Sequence, residues 1–124
     1  MRPKHTTLTP QELEIMKLVW QCEGATVRDI YEGLLERRKI AYTTVMTMMK
    51  ILETKGYLTK RRQDRAFVYR PAQPKNRVIG DMLREFIDRV FNGSAEPLLV
   101  HLVNGRHIRE KDVQKIARMI EEIE

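Results

Sequence analysis

The spacing of apolar positions changes at a few sharp points, and these divide the chain into elements. Thr9-Pro10-Gln11-Glu12 reads as a helix start. Threonine caps, proline suits the first helical position, and Glu12 reaches back to the cap. Leu13, Met16, Val19 and Trp20 then recur at helical spacing, with Gly24 as the expected stop. Thr26-Val27-Arg28-Asp29 repeats the capping signal with Asp in place of Glu, and Ile30, Leu34 and Leu35 are the expected buried face of the short helix that follows. Ala25 and Thr26, between the two helices, suit a strand of one or two residues. Arg37-Arg38-Lys39 then places positive charge at a helix carboxyl end, where it is favoured.

A third helix is predicted from Tyr42 to Lys55, with Val45, Met48, Met49 and Leu52 as its inward stripe and Gly56 as the left-handed residue behind it. The spacing then changes. Tyr57 to Lys60 and Ala66 to Arg70 read as two strands around a polar turn, Gln63-Asp64-Arg65. Pro71-Ala72-Gln73-Pro74 punctuates the chain as a linker. Everything beyond is helical. Val78, Ile79, Met82, Leu83, Phe86, Ile87, Val90 and Phe91 form a doubled ladder, too wide for a helix covered on one side, ended by Asn92-Gly93. A short helix from Ala95 to Val103 carries Leu98, Leu99 and Leu102 and stops at Asn104-Gly105. A last helix carries Val113, Ile116, Ala117, Ile120 and Ile123. The predicted fold is mainly α with a small β-hairpin wing. A winged helix-turn-helix domain occupies residues 1–73, and a helical dimerisation domain occupies residues 74–124.

Charge sharpens this division. Of the net +6, residues 1–75 hold 15 Lys and Arg against 8 Asp and Glu, whereas the rest hold 8 against 9. A cationic domain joined to a neutral one fits nucleic-acid binding coupled to self-association. If Val45, Met48 and Leu52 face inward, a helical wheel turns Thr43, Thr47, Lys50 and Thr54 outward, with Met46 beside them and Tyr42 and Thr44 at the amino end. No acidic residue lies between Tyr42 and Ile51, and Glu53 is the first. Hydroxyls, one cation and an apolar side chain fit a major groove about 12 Å wide, and threonine is otherwise a poor choice for an exposed helix. Base contact is therefore expected from Thr43, Thr44, Met46, Thr47 and Lys50. With no arginine in this helix, a bidentate guanine contact is not expected from it. Lys60, Arg61, Arg62, Arg65 and Arg70 make the hairpin cationic. Backbone contact is expected from Tyr42, Lys60, Arg61, Arg62 and Arg65, fixing position rather than sequence.

One winged helix reads few base pairs, so a homodimer on a two-fold site is expected. About fifty C-terminal residues rarely bury this much apolar surface alone, so a homodimer with exchanged or interlocked helices is expected, the alternative being that the three helices fold back on the winged domain as one core. The dimer contacts are placed on Val78, Ile79, Met82, Leu83, Phe86, Ile87, Val90 and Phe91, then Leu98, Leu99 and Leu102, and finally Val113, Ile116 and Ile120. An enzyme is not expected. Ser94 is the only serine and lacks a nucleophile-elbow context, and His5, His101 and His107 show no metal-ligand spacing. His101 and His107 suit a core or surface role better than ligation, so no metal or cofactor is predicted and a metal-responsive regulator is the weaker alternative. A winged module that binds protein is the other alternative, and the basic first domain argues against it. Cys22, the only cysteine, is expected to be a small, partly buried residue near a helix end, in a reducing compartment. Met1 to Pro10 has no apolar core and no stretch approaches a membrane span, so a cytoplasmic protein without membrane insertion is expected.

Leu8-Thr9-Pro10-Gln11-Glu12-Leu13-Glu14-Ile15-Met16 leading to Trp20, Ile40-Ala41-Tyr42-Thr43-Thr44-Val45-Met46-Thr47 with Leu52 and Lys55-Gly56, and the wing Arg65-Ala66-Phe67-Val68-Tyr69 together resemble the penicillinase-repressor family, BlaI/MecI/CopY. The likeness runs over about residues 7 to 123. It implies a homodimer that blocks transcription from an inverted-repeat operator, with groove contacts on Thr43, Thr44, Met46, Thr47 and Lys50. In members paired with a β-lactam-sensing membrane protease, it also implies release by cleavage of an Asn–Phe bond in the dimerisation domain. Here the corresponding stretch is Leu98-Leu99-Val100-His101-Leu102-Val103, with His101-Leu102 about where that bond lies. That departure weakens the β-lactam signal. The paired Cys-x-Cys motifs of copper-responsive members are absent after Cys22.

Overall fold

The computed structural model describes residues 7–105 and 109–123. Helices α1 (Pro10–Trp20), α2 (Val27–Leu35) and α3 (Tyr42–Thr54) are followed by strands β1 (Leu58–Gln63) and β2 (Ala66–Pro71), then α4 (Lys75–Phe91), α5 (Glu96–Asn104) and α6 (Glu110–Ile123). The chain divides into two compact units, one through Met82 and the other from Leu83 onward.

Both predicted capping boxes form. The Glu12 amide donates to Thr9 Oγ1 at 3.1 Å and the Thr9 amide donates to Glu12 Oε1 at 3.0 Å. Thr26 and Asp29 make the same exchange at 3.0 and 3.1 Å. Each satisfies two amide donors that a helix start leaves open. Helix α1 ends at Trp20, before Gly24. Gly24 serves instead as a point of close approach, because a Cβ there would lie 2.6 Å from Val68 Cγ1. Cys22 is exposed rather than partly buried, beyond the last turn of α1, with its thiol 3.4 Å from the Leu18 carbonyl.

The hairpin is antiparallel, with Leu58 opposite Pro71 and Gln63 opposite Ala66. The strands run longer than their spacing predicts, and the turn shrinks to Asp64-Arg65, with Asp64 left-handed at φ 57°. Aspartate tolerates that conformation better than most residues. Ala25 forms the expected strand stub, exchanging hydrogen bonds with Tyr69 at 2.8 and 3.0 Å. Gly56 has φ +90°, as its position after α3 predicts. The Pro71–Pro74 segment is pinned rather than loose: the Ala72 amide donates to the Tyr57 carbonyl, and Gln73 Nε2 donates to that of Gly56.

The first unit encloses one core. Ile15, Met16 and Val19 of α1 meet Ile30 and Leu34 of α2 and Val45, Met49 and Leu52 of α3, closed by Leu8, Ala25, Tyr57, Leu58, Tyr69 and Val78. Several inward assignments differ from expectation. Leu35 is 42% exposed, because it lies about 100° beyond Leu34 and leaves the face that Ile30 and Leu34 share. Ile15 takes the central place in α1, and Leu13 and Trp20 only pack against the edge. Met48 likewise flanks the α3 stripe. Val78, at 2% exposure, belongs to this core, and Met82 packs on it.

In the second unit no described residue is buried, and Leu83, Phe86, Val90, Val100, Val103 and Met119 stand exposed. Phe91 holds the second half of α4 to α5, with its ring centroid 5.8 Å from Phe86 and 6.0 Å from His101. Left-handed Asn92 (φ 57°) and Gly93 (φ 90°) end α4 as predicted, whereas Gly105 after α5 is right-handed.

Candidate nucleic-acid interface

Helix α3 is fixed at both ends by residues distant in sequence. At its carboxyl end, Lys55 Nζ donates to Glu12 Oε1 and Oε2 at 2.8 and 3.1 Å. Burial pushes the Glu12 carboxyl up, but hydrogen bonds from Lys55 and the Thr9 amide, with the attraction of the ammonium, outweigh it and hold Glu12 below its ordinary value. Before its amino end, Arg38 grips Glu14 of α1 through Nε and Nη2 at 3.3 and 3.0 Å. Tyr42, the first residue of α3, packs edge to face on Tyr31 at 5.3 Å, with the Arg28 guanidinium 5.4 Å from its ring centroid. These contacts orient α3 so that its other face is open.

That open face carries two stripes. Thr43, Thr44 and Thr47 are exposed on one side. Tyr42, Met46 and Lys50, spaced one helical turn apart, line a cleft of about 570 Å³ on the other. The cleft is closed by Thr26, Val27 and Arg28 of the α2 start and by Lys60, Arg65, Ala66, Phe67 and Tyr69 of the hairpin. None of its eleven lining residues is acidic, and four carry positive charge. Thr54, also on the outward wheel, spends its hydroxyl proton on the Lys50 carbonyl at 3.1 Å. Ala41 provides no side-chain cap, and the first turn of α3 contains no acid, so its amide dipoles add positive potential at the mouth.

The hairpin cations do not act as one cluster. Side chains alternate along a strand, and directly paired residues share a face. Lys60 and Arg62 therefore stand with Phe67 and Tyr69 on one face, and Arg61 stands with Val68 and Arg70 on the other. Lys60 Nζ and the Arg62 guanidinium lie 4.5 and 5.8 Å from the centroid of Phe67, which is 43% exposed. Lys60 also pairs with Glu53 at 3.5 Å. Thr59, Lys60, Arg61, Gln63, Val68 and Arg70 line a second depression on the far face. Arg65 sits in the two-residue turn, at the rim of the cleft.

Reading the sequence did not assign Arg28 or Phe67 to this surface. The signal for Phe67 was an aromatic among cations in a turn-flanking strand. Arg28 had no local signal, since its place depends on α2 crossing α3. Of the remaining predicted positions, Ile79 is exposed, Ile87, Leu98, Leu99, Leu102, Val113 and Ile116 are half-buried, and the side chain of Ile120 lies outside the described residues, as do His5 and His107. The His101-Leu102 bond lies inside α5, and the His101 carbonyl accepts from the Gly105 amide at 2.9 Å.

Three short helices, a strand stub and a hairpin placed beside an open third helix define a winged helix-turn-helix protein. The chain belongs to the penicillinase repressor family, whose model matches residues 8–122. It is 32% identical to the transcriptional regulator BlaI of Mycobacterium tuberculosis over 98% of this chain and 88% of that protein. It is 23% identical to the penicillinase repressor of Bacillus licheniformis, over 93% and 90% respectively. The monomeric form of BlaI from Bacillus licheniformis, solved in complex with the blaP half-operator, is similar with a TM-score of 0.52 at 27% identity, covering 59% of this chain and 89% of that one.

Proposed function

We propose that this chain is a DNA-binding transcriptional repressor acting in the cytoplasm as a homodimer on an inverted-repeat operator. The observation that carries the reading is the acid-free cleft between α3 and the hairpin, in which Arg28, Lys50, Lys60 and Arg65 converge beside an exposed row of threonines. Duplex DNA presents phosphates around a groove that admits one helix, and such a surface is complementary to it in charge and shape. Membership in a repressor family, with a relative solved on a half-operator, supports the same reading and argues against an enzyme.

Thr43, Thr44, Met46, Thr47 and Lys50 take the base edges. Tyr42, Lys60, Arg61, Arg62 and Arg65 take the backbone, with Arg61 approaching from the opposite face of the wing to Lys60 and Arg62. Dimerisation falls to the helical region from residue 74, through the exposed ladder Ile79, Leu83, Phe86 and Val90 and the apolar faces of α5 and α6. A unit without a single buried residue among those described needs a second copy to enclose its apolar surface. Release follows from separating the two protomers, because each half then keeps only its own phosphate contacts. A membrane-bound sensor protease acting at His101-Leu102 has first to unwind the last turn of α5.

A gel shift against random duplex at low salt, followed by selection from a randomised duplex pool, tests the reading. The expected product is an inverted repeat whose half-site centres lie a whole number of helical turns apart, about 10 bp each. No shift at any salt concentration would sink the assignment, and unpaired half-sites would remove the dimer from it.

A further inference from the structure

We propose that Arg28 reads a guanine in each operator half-site, supplying from α2 the planar double donor that α3 lacks. The inference rests on the DNA-binding reading above and adds a specificity-determining residue to it.

The exposed face of α3 offers threonine hydroxyls, the Met46 thioether and the Lys50 ammonium, and the helix contains no arginine. None of these presents two parallel N–H groups, the arrangement that matches O6 and N7 of guanine. Arg28 is the second residue of α2, yet its guanidinium lies 5.4 Å from the ring centroid of Tyr42, the first residue of α3. It therefore stands at the head of the Tyr42, Met46, Lys50 stripe and lines the same cleft. Tyr42 is a platform of fixed orientation, because its ring meets Tyr31 edge to face at 5.3 Å and 78°. A guanidinium resting on such a ring gives up less rotamer freedom when it binds, and arginine stacks on aromatic rings in a way lysine does not.

The competing partner is weak. Arg28 meets Glu32 at 3.8 Å, and both side chains are about two-thirds exposed. The other cations of the cleft are placed differently. Lys60 is paired with Glu53, Arg65 sits in the hairpin turn, and Lys50 is a point charge without a fork. Tyr42 accordingly acts as a positioning residue for Arg28 as well as a rim contact.

The test uses the full-length protein and the duplex recovered from a randomised pool by the unaltered protein. Arg28→Lys keeps the charge and removes the fork. It should weaken binding to the selected duplex about 10-fold or more. Any loss on random duplex should be much smaller than the loss on the selected duplex, and the preference for G·C at one position per half-site should disappear. Tyr42→Leu should blunt preference at the same position and no other. Thermal melts of both variants verify that the fold is intact. Full retention of every base preference by Arg28→Lys overturns the proposal. So does an equal loss on selected and random duplex, which marks a phosphate contact. Unaltered protein that shifts no duplex at any salt concentration overturns the DNA reading and this inference together, whereas the first two results, or unaltered protein that binds duplex without sequence preference, remove only the role of Arg28.

Discussion

The two units of this chain draw on the same aliphatic residues and use them in opposite ways. The first closes Leu8, three helices, a hairpin and the first turn of α4 around fourteen buried apolar residues among those described, whereas the second leaves every described side chain at least partly open. The difference lies in connectivity. In the first unit the hairpin and the Ala25 stub return the chain across α1 and α2, so distant apolar faces cover one another. In the second, the helices follow one another, and none of the described residues buries its part of the α4 ladder. A stable unit with a stiff surface is suited to reading a rigid ligand. A unit with spare apolar surface is suited to meeting another copy of itself.

Substitutions that separate these roles give the largest effects. Leu52→Ala, which deletes a fully buried side chain, should cost about 2–5 kcal/mol in urea denaturation at every protein concentration. If the proposed homodimer forms, Leu83→Asp should instead leave the unfolding of the winged unit in place and convert the dimer to a monomer in sedimentation. If Leu83→Asp unfolds the whole chain, the contrast between the units fails.

Lys55→Met strands the Glu12 carboxylate in a nearly closed site. It should cost about 2–3 kcal/mol near neutral pH, below the range for a fully enclosed pair because Lys55 is partly open. Glu12 is held below its ordinary value when folded, so its contribution is complete above the unfolded carboxylate pKa and is lost as pH falls through the folded one. The gap in stability between the unaltered protein and Lys55→Met should therefore narrow on acidification. A pH-independent gap would show that packing by the lysine stem, not charge, joins α1 to α3.

Gly24→Ala pushes a methyl group against Val68 and should cost about 1–3 kcal/mol, with Val68→Ala recovering part of the loss in a double-mutant cycle. The smallest effect belongs to the wing. Arg65→Ala should weaken binding to all duplex sequences alike and lower the salt slope by about one unit. Loss of sequence preference with an unchanged slope would move Arg65 from backbone to base contact.

Much of the first unit was legible before any coordinates. Thr9 with Glu12, Thr26 with Asp29, and Gly56 behind α3 each concern residues a few positions apart, and each behaves as its local chemistry predicts. Val45, Met49 and Leu52 of the inward stripe of α3 were legible for the same reason, whereas Met48 only flanks it. Leu35 was read as inward and Ile15 was passed over because periodicity names a face only to within about one residue, and the neighbouring helix settles which side chain it covers. The site was legible in part. The acid-free stretch of α3 from Tyr42 to Leu52 and the cationic hairpin stood out, but the sorting of Arg61 from Arg62 followed from strand register, and the meeting of Arg28 with Tyr42 followed from the crossing of two helices.

By itself, then, the amino-acid order determined the helix starts, the hairpin, the charge imbalance and the family. Those properties depend on interactions within a turn or two, or on totals. Tertiary structure alone decided that Val78 is spent inside the first core, that the threonines and the Tyr42–Lys50 stripe face different surroundings, and that an arginine from α2 stands over α3. Each of these is set by how elements far apart in the chain come to lie against one another, and no local preference encodes that.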